Sequence, residues 1–483
     1  MADSLKEKAI TGISWSFVEQ ILTRGANFVI NIVIARLLSP TDYGLIGMMG
    51  IFIAISQLFV DGGLSNALIK QKTPSDRDYS TVFITNVTFS IVFYLILFFA
   101  APAIARFYDQ PLLKDLVRAV SLVLVIGSLG SIQGTLLTIR VDFKTKTWIS
   151  IGTSLISGAV GIICAYRGMG VWSLVAQSLT AATVAMLMTH ALVRWMPRLV
   201  FSMESFKRLF GYSSKLLLSS VISTAYAHAY PLVIGKKFSP ADVGDFTRAG
   251  QFPSIANDAV SSALNRVSFP ILSKIQDDDE RLVEVTGRFT RLSCFIMFPV
   301  LMGICGCARP LVLVLLKEQW LNCVPLMQII CFSWLTGGIL SLNLNLLYVK
   351  GRSDMALRLE LIKKAFAITV LVITIFFGVR VMCFGLVLCS FIDMAVTAWF
   401  TKRLVGYGIV PQLKAAAPYF GCALVVLAES LVISHFVHPE LLALGVAFVV
   451  CVATYLLLAR VFNLYAWEEA RVLLIRKLHK DNA

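Results

Sequence analysis

Charge is scarce in this 483-residue chain. Only 15% of its residues are Asp, Glu, Lys or Arg, against about a quarter in a soluble domain, which excludes a soluble globular protein and a disordered one alike. Long hydrophilic stretches are also missing. The longest internal loop is about 20 residues, so no extramembrane domain of useful size fits between the apolar runs. The sequence has no Gly-x-x-x-x-Gly-Lys-Ser/Thr phosphate loop, no Gly-x-Ser-x-Gly elbow and no His-Glu-x-x-His pair, so ATP hydrolysis and zinc hydrolysis have no support. No catalytic residue is expected, and the chain is not read as an enzyme.

Apolar residues dominate what is present, at 57% of the chain. A bilayer-spanning helix takes about 20 apolar residues. Stretches of that kind fall near residues 12–35, 44–67, 81–103, 116–138, 148–166, 171–193, 212–235, 250–273, 292–316, 323–347, 357–379, 383–401, 415–436 and 441–459, giving fourteen expected spans. The expected fold class is therefore an all-α polytopic membrane protein. The ten cysteines lie mostly inside these runs and read as small buried hydrophobes. Cys305 and Cys307 are spaced like a metal pair, but on a helix their side chains diverge by about 160°, so neither a metal nor a cofactor is expected.

The formal charge of +15 would suit nucleic acid if the cations clustered as a phosphate-binding patch. They alternate instead. With Met1 placed inside, the loops on that side hold more than twice the Lys and Arg of the opposite loops. Under the positive-inside rule both termini are then cytoplasmic and the number of spans is even, which removes nucleic acid as a partner. The first apolar run carries Glu19 and Arg24 and has no small-residue cleavage site, so it is expected to persist as a helix rather than be cleaved as a signal. The stretch from Arg460 to Lys480 alternates leucines with cations and suits either a helix lying on the inner leaflet or a solvated tail.

An internal repeat organises the chain. Arg36-Leu-Leu-Ser39-Pro40-Thr-Asp42-Tyr-Gly44 recurs as Lys236-Lys-Phe-Ser239-Pro240-Ala-Asp242-Val-Gly244 at a constant offset of 200. Proline cannot continue a helix and glycine tolerates a tight turn, so each copy punctuates a helix hairpin, the first and second spans of a set of six. Six is even, hence the repeats run parallel, as in transporters with a substrate site between two lobes. The expected organisation is an N-lobe over residues 1–205, a C-lobe over 206–410 around a central cavity, and two further spans with a cytoplasmic amphipathic tail over 411–483.

Polar residues form stripes. At about 100° per residue, Ser16, Gln20, Arg24, Asn27 and Asn31 share one face of the first span. On the eighth span Gln251, Ser254, Asp258, Ser261, Ser262 and Asn265 gather on one side, with Arg266 at its margin. Gln57 and Asp61 lie one turn apart on the second span, and Lys215, His228 and Tyr230 belong to the seventh. A charge at the bilayer centre costs about 2.5–3.5 kcal/mol, so these faces are expected to line a wet cavity. The nearly apolar third, ninth, thirteenth and fourteenth spans, with the body of the eleventh, should face lipid. Asp393 and Glu429 have no nameable partner in the sequence.

Taken together, Gly12-Ile-Ser-Trp15, Ala35-Arg36-Leu-Leu-Ser-Pro40 with Asp42-Tyr-Gly44, Asp61-Gly-Gly63, Ala105-Arg-Phe-Tyr108, Arg140 with Phe143-Lys144, and Gly168-Met-Gly-Val-Trp172 with Gln177 resemble the Wzx-type polysaccharide flippases. These belong to the multidrug/oligosaccharidyl-lipid/polysaccharide exporter superfamily, and the likeness is to its colanic acid exporter subgroup, densest over the first 180 residues. The resemblance implies a bacterial inner-membrane protein that moves an undecaprenyl-pyrophosphate-linked oligosaccharide to the periplasmic leaflet by alternating access. It also implies a cationic cavity, which Arg24 and Arg266 match, with Lys215 beside them. Gln20, Asn27, Asn31, Gln57 and Asn265 are candidates for binding sugar hydroxyls. Asp61, Asp258 and His228 are candidates for coupling to a proton or sodium ion. Besides the lipid-linked oligosaccharide and membrane lipids, a polysaccharide polymerase and glycosyltransferases are candidate partners. Rival readings are a multidrug or cation antiporter of the same superfamily, a membrane glycan polymerase or ligase, and a non-transporting scaffold.

Overall fold

The computed structural model describes residues 23–71, 74–198 and 200–468, and these are helical with no strand among them. Helix α1 is described over residues 23–37. It is followed by α2 (Pro40–Asp61), α3 (Leu64–Lys70), α4 (Asp76–Tyr108), α5 (Leu113–Val120), α6 (Leu122–Ile139), α7 (Phe143–Tyr166), α8 (Trp172–Leu192), α9 (Met203–Ala227) and α10 (Ala229–Lys237). Next come α11 (Pro240–Lys274), α12 (Asp279–Gly306), α13 (Ala308–Leu316), α14 (Cys323–Trp334), α15 (Gly337–Val349), α16 (Ser353–Thr374), α17 (Val379–Val405), α18 (Ile409–Phe436) and α19 (Glu440–Val461). The fold is all-α and polytopic, as the composition requires.

Among the described residues ten helices or helix pairs are long and apolar enough to cross a membrane, and α9 with α10 makes an eleventh if that bent pair is one span. The expected fourteen are not all recovered on this basis. The remaining three fall on α1, α11 and α16, and the shortfall has a simple cause: α11 and α16 carry charges within their length, and α1 is only partly described.

The chain divides into two compact units, Met1–Gly244 and Asp245–Ala483. In the first, α9 and α10 pack with α2 and α4, α9 also lies on α3, and α7 pairs with α8. Its core joins Leu64, Leu68, Val82, Ile132, Leu136 and Leu209. In the second, α12 packs along α18, α18 along α19, and α14 along α17. Its core gathers Met297, Leu301, Met302, Tyr419 and Val426. Large apolar side chains stand exposed on the outer helices, among them Phe99 (75%) and Phe448 (72%). Water would not tolerate so many, whereas acyl chains would.

The repeat has a local structural basis. At both Ser39 and Ser239 the backbone N–H and the hydroxyl donate to the carboxylate of the Asp three residues on, whose own N–H donates back to the serine Oγ. Each is a capping box with proline in the first helical position, which needs no donor there. A third capping box starts α4 at Ser75 and Asp78. Nine of the ten cysteines are buried, and all ten are free thiols.

Candidate functional site

In the first unit the polar face is built on broken helices. Helix α2 ends at Asp61 because Gly62 and Gly63 both take left-handed backbone angles, φ 52° and 67°, which glycine alone adopts freely. Asp61 thus sits at an interruption inside the apolar segment Pro40–Lys70. It is exposed, and its Oδ2 accepts from Gln57 Nε2 at 3.3 Å. His228 occupies a second interruption, where α9 and α10 meet at 41°. Pro231, three residues on, cannot supply the N–H that would continue α9. The half-buried His228 ring lies over Gly50 of α2, so close that a methyl there would stand 3.3 Å from Nδ1. Interrupted spans free backbone polar groups at membrane depth, where substrates and coupling ions bind in transporters of this general design.

On α1, Arg24 is exposed, while Asn27 accepts from Ser154 Oγ of α7 at 2.6 Å and Asn31 donates to the Asn27 carbonyl at 2.8 Å. Asn27 therefore ties α1 to α7. Gln20 lies outside the described residues, and so does the side chain of Lys215; the lysine's backbone belongs to α9.

In the second unit, Asp258 and Arg266 of α11 are exposed. Asn265 Oδ1 accepts from Ser341 Oγ and from Asn345 Nδ2, each at 2.8 Å, which fastens α11 to α15. Asn257 Nδ2 points to Asp258 Oδ1 at 3.4 Å and its Oδ1 accepts from Ser261. The stripe thus includes Asn265, which binds a neighbouring helix, and Asp258 and Arg266, whose side chains are exposed.

Asp245 and Arg248 carry polarity that the sequence reading did not single out. Helix α11 begins at Pro240, ten residues before its apolar run, so both lie within the helix and are buried, at 4% and 6% exposure. Arg248 donates to Gln251 Oε1, and its guanidinium stands 5.5 Å from the Trp320 ring centre. The first copy of the repeat has Leu45 and Met48 at the matching positions, so this charged pair breaks the internal symmetry. Its sequence signal was the Asp-x-x-Arg spacing just after the second capping box.

Asp393 was expected to have no nameable partner, and the structure corrects this. Lys363 Nζ lies 3.7 Å from Asp393 Oδ2 and 3.2 Å from Glu360 Oε1, and Lys364 Nζ is 3.8 Å from Glu360 Oε2. Both lysines are mostly covered, with side chains 18% and 17% exposed. At 1.5 Å per residue they lie about 15 Å into α16, so they are helix residues and do not belong to the loop cations of that side. The excess of cations on that side survives their removal. Glu429 Oε2 is buried without a hydrogen-bond partner among the described residues.

The two repeat copies approach one another closely within the first unit. A methyl built on Gly44 would land on the carbonyl oxygen of Pro240, and one on Gly244 would land on the carbonyl oxygen of Pro40. The reciprocity shows why glycine stands at both positions. We expect Gly44→Ala to destabilise this contact by about 1–3 kcal/mol, read as a lower melting temperature of the purified protein. Gly250→Ala, where nothing lies within 4 Å, should leave it unchanged.

An all-helical polytopic chain with interrupted, polar-faced helices defines a membrane transporter fold, and solved structures of that class match it. It is similar to the lipid II flippase MurJ in an inward closed conformation (TM-score 0.73, 16% identity, 94% of this chain and 98% of that one). It is also similar to an inward-facing multidrug resistance MATE family transporter (TM-score 0.61, 13% identity, 80% and 94%). The model of the polysaccharide biosynthesis protein family matches residues 33–325, and the chain belongs to that family. Curated relatives include the succinoglycan biosynthesis transport protein ExoT of Rhizobium meliloti, 28% identical over 69% of this chain and 68% of that one. Another is the lipopolysaccharide biosynthesis protein WzxC of Escherichia coli, 24% identical over 77% and 76%. The resemblance read from the motifs thus agrees with the family found.

Proposed function

We propose that the protein is a flippase that carries a lipid-linked oligosaccharide, with undecaprenyl pyrophosphate as its carrier, from the cytoplasmic to the periplasmic leaflet of the bacterial inner membrane by alternating access. The observation that carries this reading is the placement of exposed Arg24 and Arg266, with amides beside them, on the polar-striped helices α1 and α11 of a chain that belongs to a polysaccharide biosynthesis family and is similar in fold to a lipid flippase. Arg24 and Arg266, with Lys215, hold the pyrophosphate or acidic sugars, because a guanidinium offers two parallel donors to phosphate oxygens. Gln20, Asn27, Asn31, Gln57 and Asn265 contact sugar hydroxyls, while the polyprenyl tail stays in lipid. Asp61, Asp258 and His228 couple transport to a proton or sodium ion. The duplicated segments, residues 1–205 and 206–410, act as the two moving lobes, residues 411–483 append to the second, and both termini are cytoplasmic, by the cation excess of their loops. Polymerase and glycosyltransferases of the same polymer are its partners.

Depleting the protein in its own cells tests this directly. Lipid-linked oligosaccharide should accumulate while the exported polymer falls. Unchanged levels of both, or a defect confined to drug efflux, would contradict the reading.

A further inference from the structure

A cavity of about 800 Å³ opens in the second unit where α12, α18 and the segment after α19 meet. Its rim carries Arg291 and Lys414, and neither has a carboxylate partner among the described residues. Arg291 lies on the Tyr465 ring, 4.9 Å from its centre; an aromatic face holds the guanidinium without neutralising it, so its N–H donors remain available. The lining is otherwise largely apolar and includes Tyr419, Val425 and Leu458.

The depth of these groups along the chain identifies the occupant. Arg291 and Lys414 are the residues immediately before the apolar runs 292–316 and 415–436, and Tyr465 follows the run 441–459. All three therefore mark one membrane interface, with the apolar wall extending from it towards hydrocarbon. Pro418 adds a polar feature there, because its missing N–H leaves the Lys414 carbonyl without its helical donor. A ligand that fits has an anionic head, at least one acyl chain and access from the bilayer. Free phosphate uses only the two cations, and a zwitterionic lipid gains little from two cations that have no carboxylate partner among the described residues.

We propose that this cavity binds an anionic glycerophospholipid, its phosphate held by Arg291 and Lys414 and an acyl chain laid along Tyr419, Val425 and Leu458. The site stands apart from Arg24 and Arg266 in sequence and does not depend on the transport reading.

The test uses the full-length protein released from nanodiscs of phosphatidylcholine with added phosphatidylglycerol, with bound lipid counted by native mass spectrometry. Wild type should retain phosphatidylglycerol in preference to phosphatidylcholine. Each cation near a membrane surface contributes about 1 kcal/mol, so Arg291→Gln with Lys414→Gln should weaken retention about thirtyfold. Val425→Trp, which fills the apolar wall and keeps both cations, should also weaken it, whereas Arg403→Gln, a cation stacked on Trp399, should not. Arg291→Lys should recover part of the loss and shows that the site still folds. Equal retention of the two lipids, or undiminished retention in the double variant, overturns the proposal. So does displacement of phosphatidylglycerol by inorganic phosphate alone, or by undecaprenyl phosphate at equal concentration, since the first leaves no acyl site and the second makes it a substrate site.

Discussion

Replacing Arg24 and Arg266 together by alanine is expected to cut export of the finished polymer by about a hundredfold to ten-thousandfold, with the protein still inserted at normal abundance. A hydrogen bond to a charged group contributes about 1.5–3 kcal/mol, and two such losses combine to that range at 1.4 kcal/mol per decade. Single variants should each fall by about tenfold to a hundredfold. Lysine in place of either arginine should retain part of the activity, because it keeps the charge and loses the bidentate geometry. Both residues are exposed on their helices, and membrane abundance separates a loss of transport from a loss of folding. Polymer output is read by sugar analysis of the culture, and abundance by immunoblotting of membranes. Output like the wild type's from the double variant would remove both arginines from the site.

The second large effect concerns stability. Lys363→Met leaves Asp393 without the ammonium 3.7 Å away, in a stretch of α17 packed against α16. Removing one partner of a covered ion pair destabilises by about 3–5 kcal/mol, whereas replacing both by apolar groups is close to neutral. Lys363→Met should therefore melt well below the wild type, and the double variant Lys363→Met with Asp393→Leu should recover most of the loss, since Lys364 still serves Glu360 at 3.8 Å. Thermal unfolding in detergent followed by size-exclusion chromatography measures both. A double variant no more stable than the single would show that the pair does not act as a unit.

The sequence made the apolar helices, the repeat and the family legible for one reason: each follows from local pattern. Ser39-Pro40 with Asp42, and Ser239-Pro240 with Asp242, announce capping boxes because the cap needs those side chains at that spacing. The break after Asp61 was also readable, in Gly62 and Gly63. The second break was harder to see, because at His228 the cause lies downstream in Pro231. Helix starts were misplaced where hydropathy was asked to locate them. An apolar run ends at the first charge, but a helix does not: α11 begins ten residues before its run, which hid Asp245 and Arg248. Partner choice was beyond the sequence for a different reason. Asn27 meets Ser154 and Asn265 meets Asn345 across separations that periodicity does not encode.

The most direct measurement of the central claim is the leaflet exchange of a fluorescent lipid-linked oligosaccharide in vesicles containing the purified protein. The label is quenched from outside by a membrane-impermeant reductant. Vesicles with wild-type protein should lose nearly all their fluorescence as inner-leaflet lipid crosses, and vesicles with the Arg24→Ala, Arg266→Ala variant should stop near one half, as protein-free vesicles do. Loss stopping near one half with the wild-type protein under an imposed proton or sodium gradient, or full loss with the variant, would contradict the account.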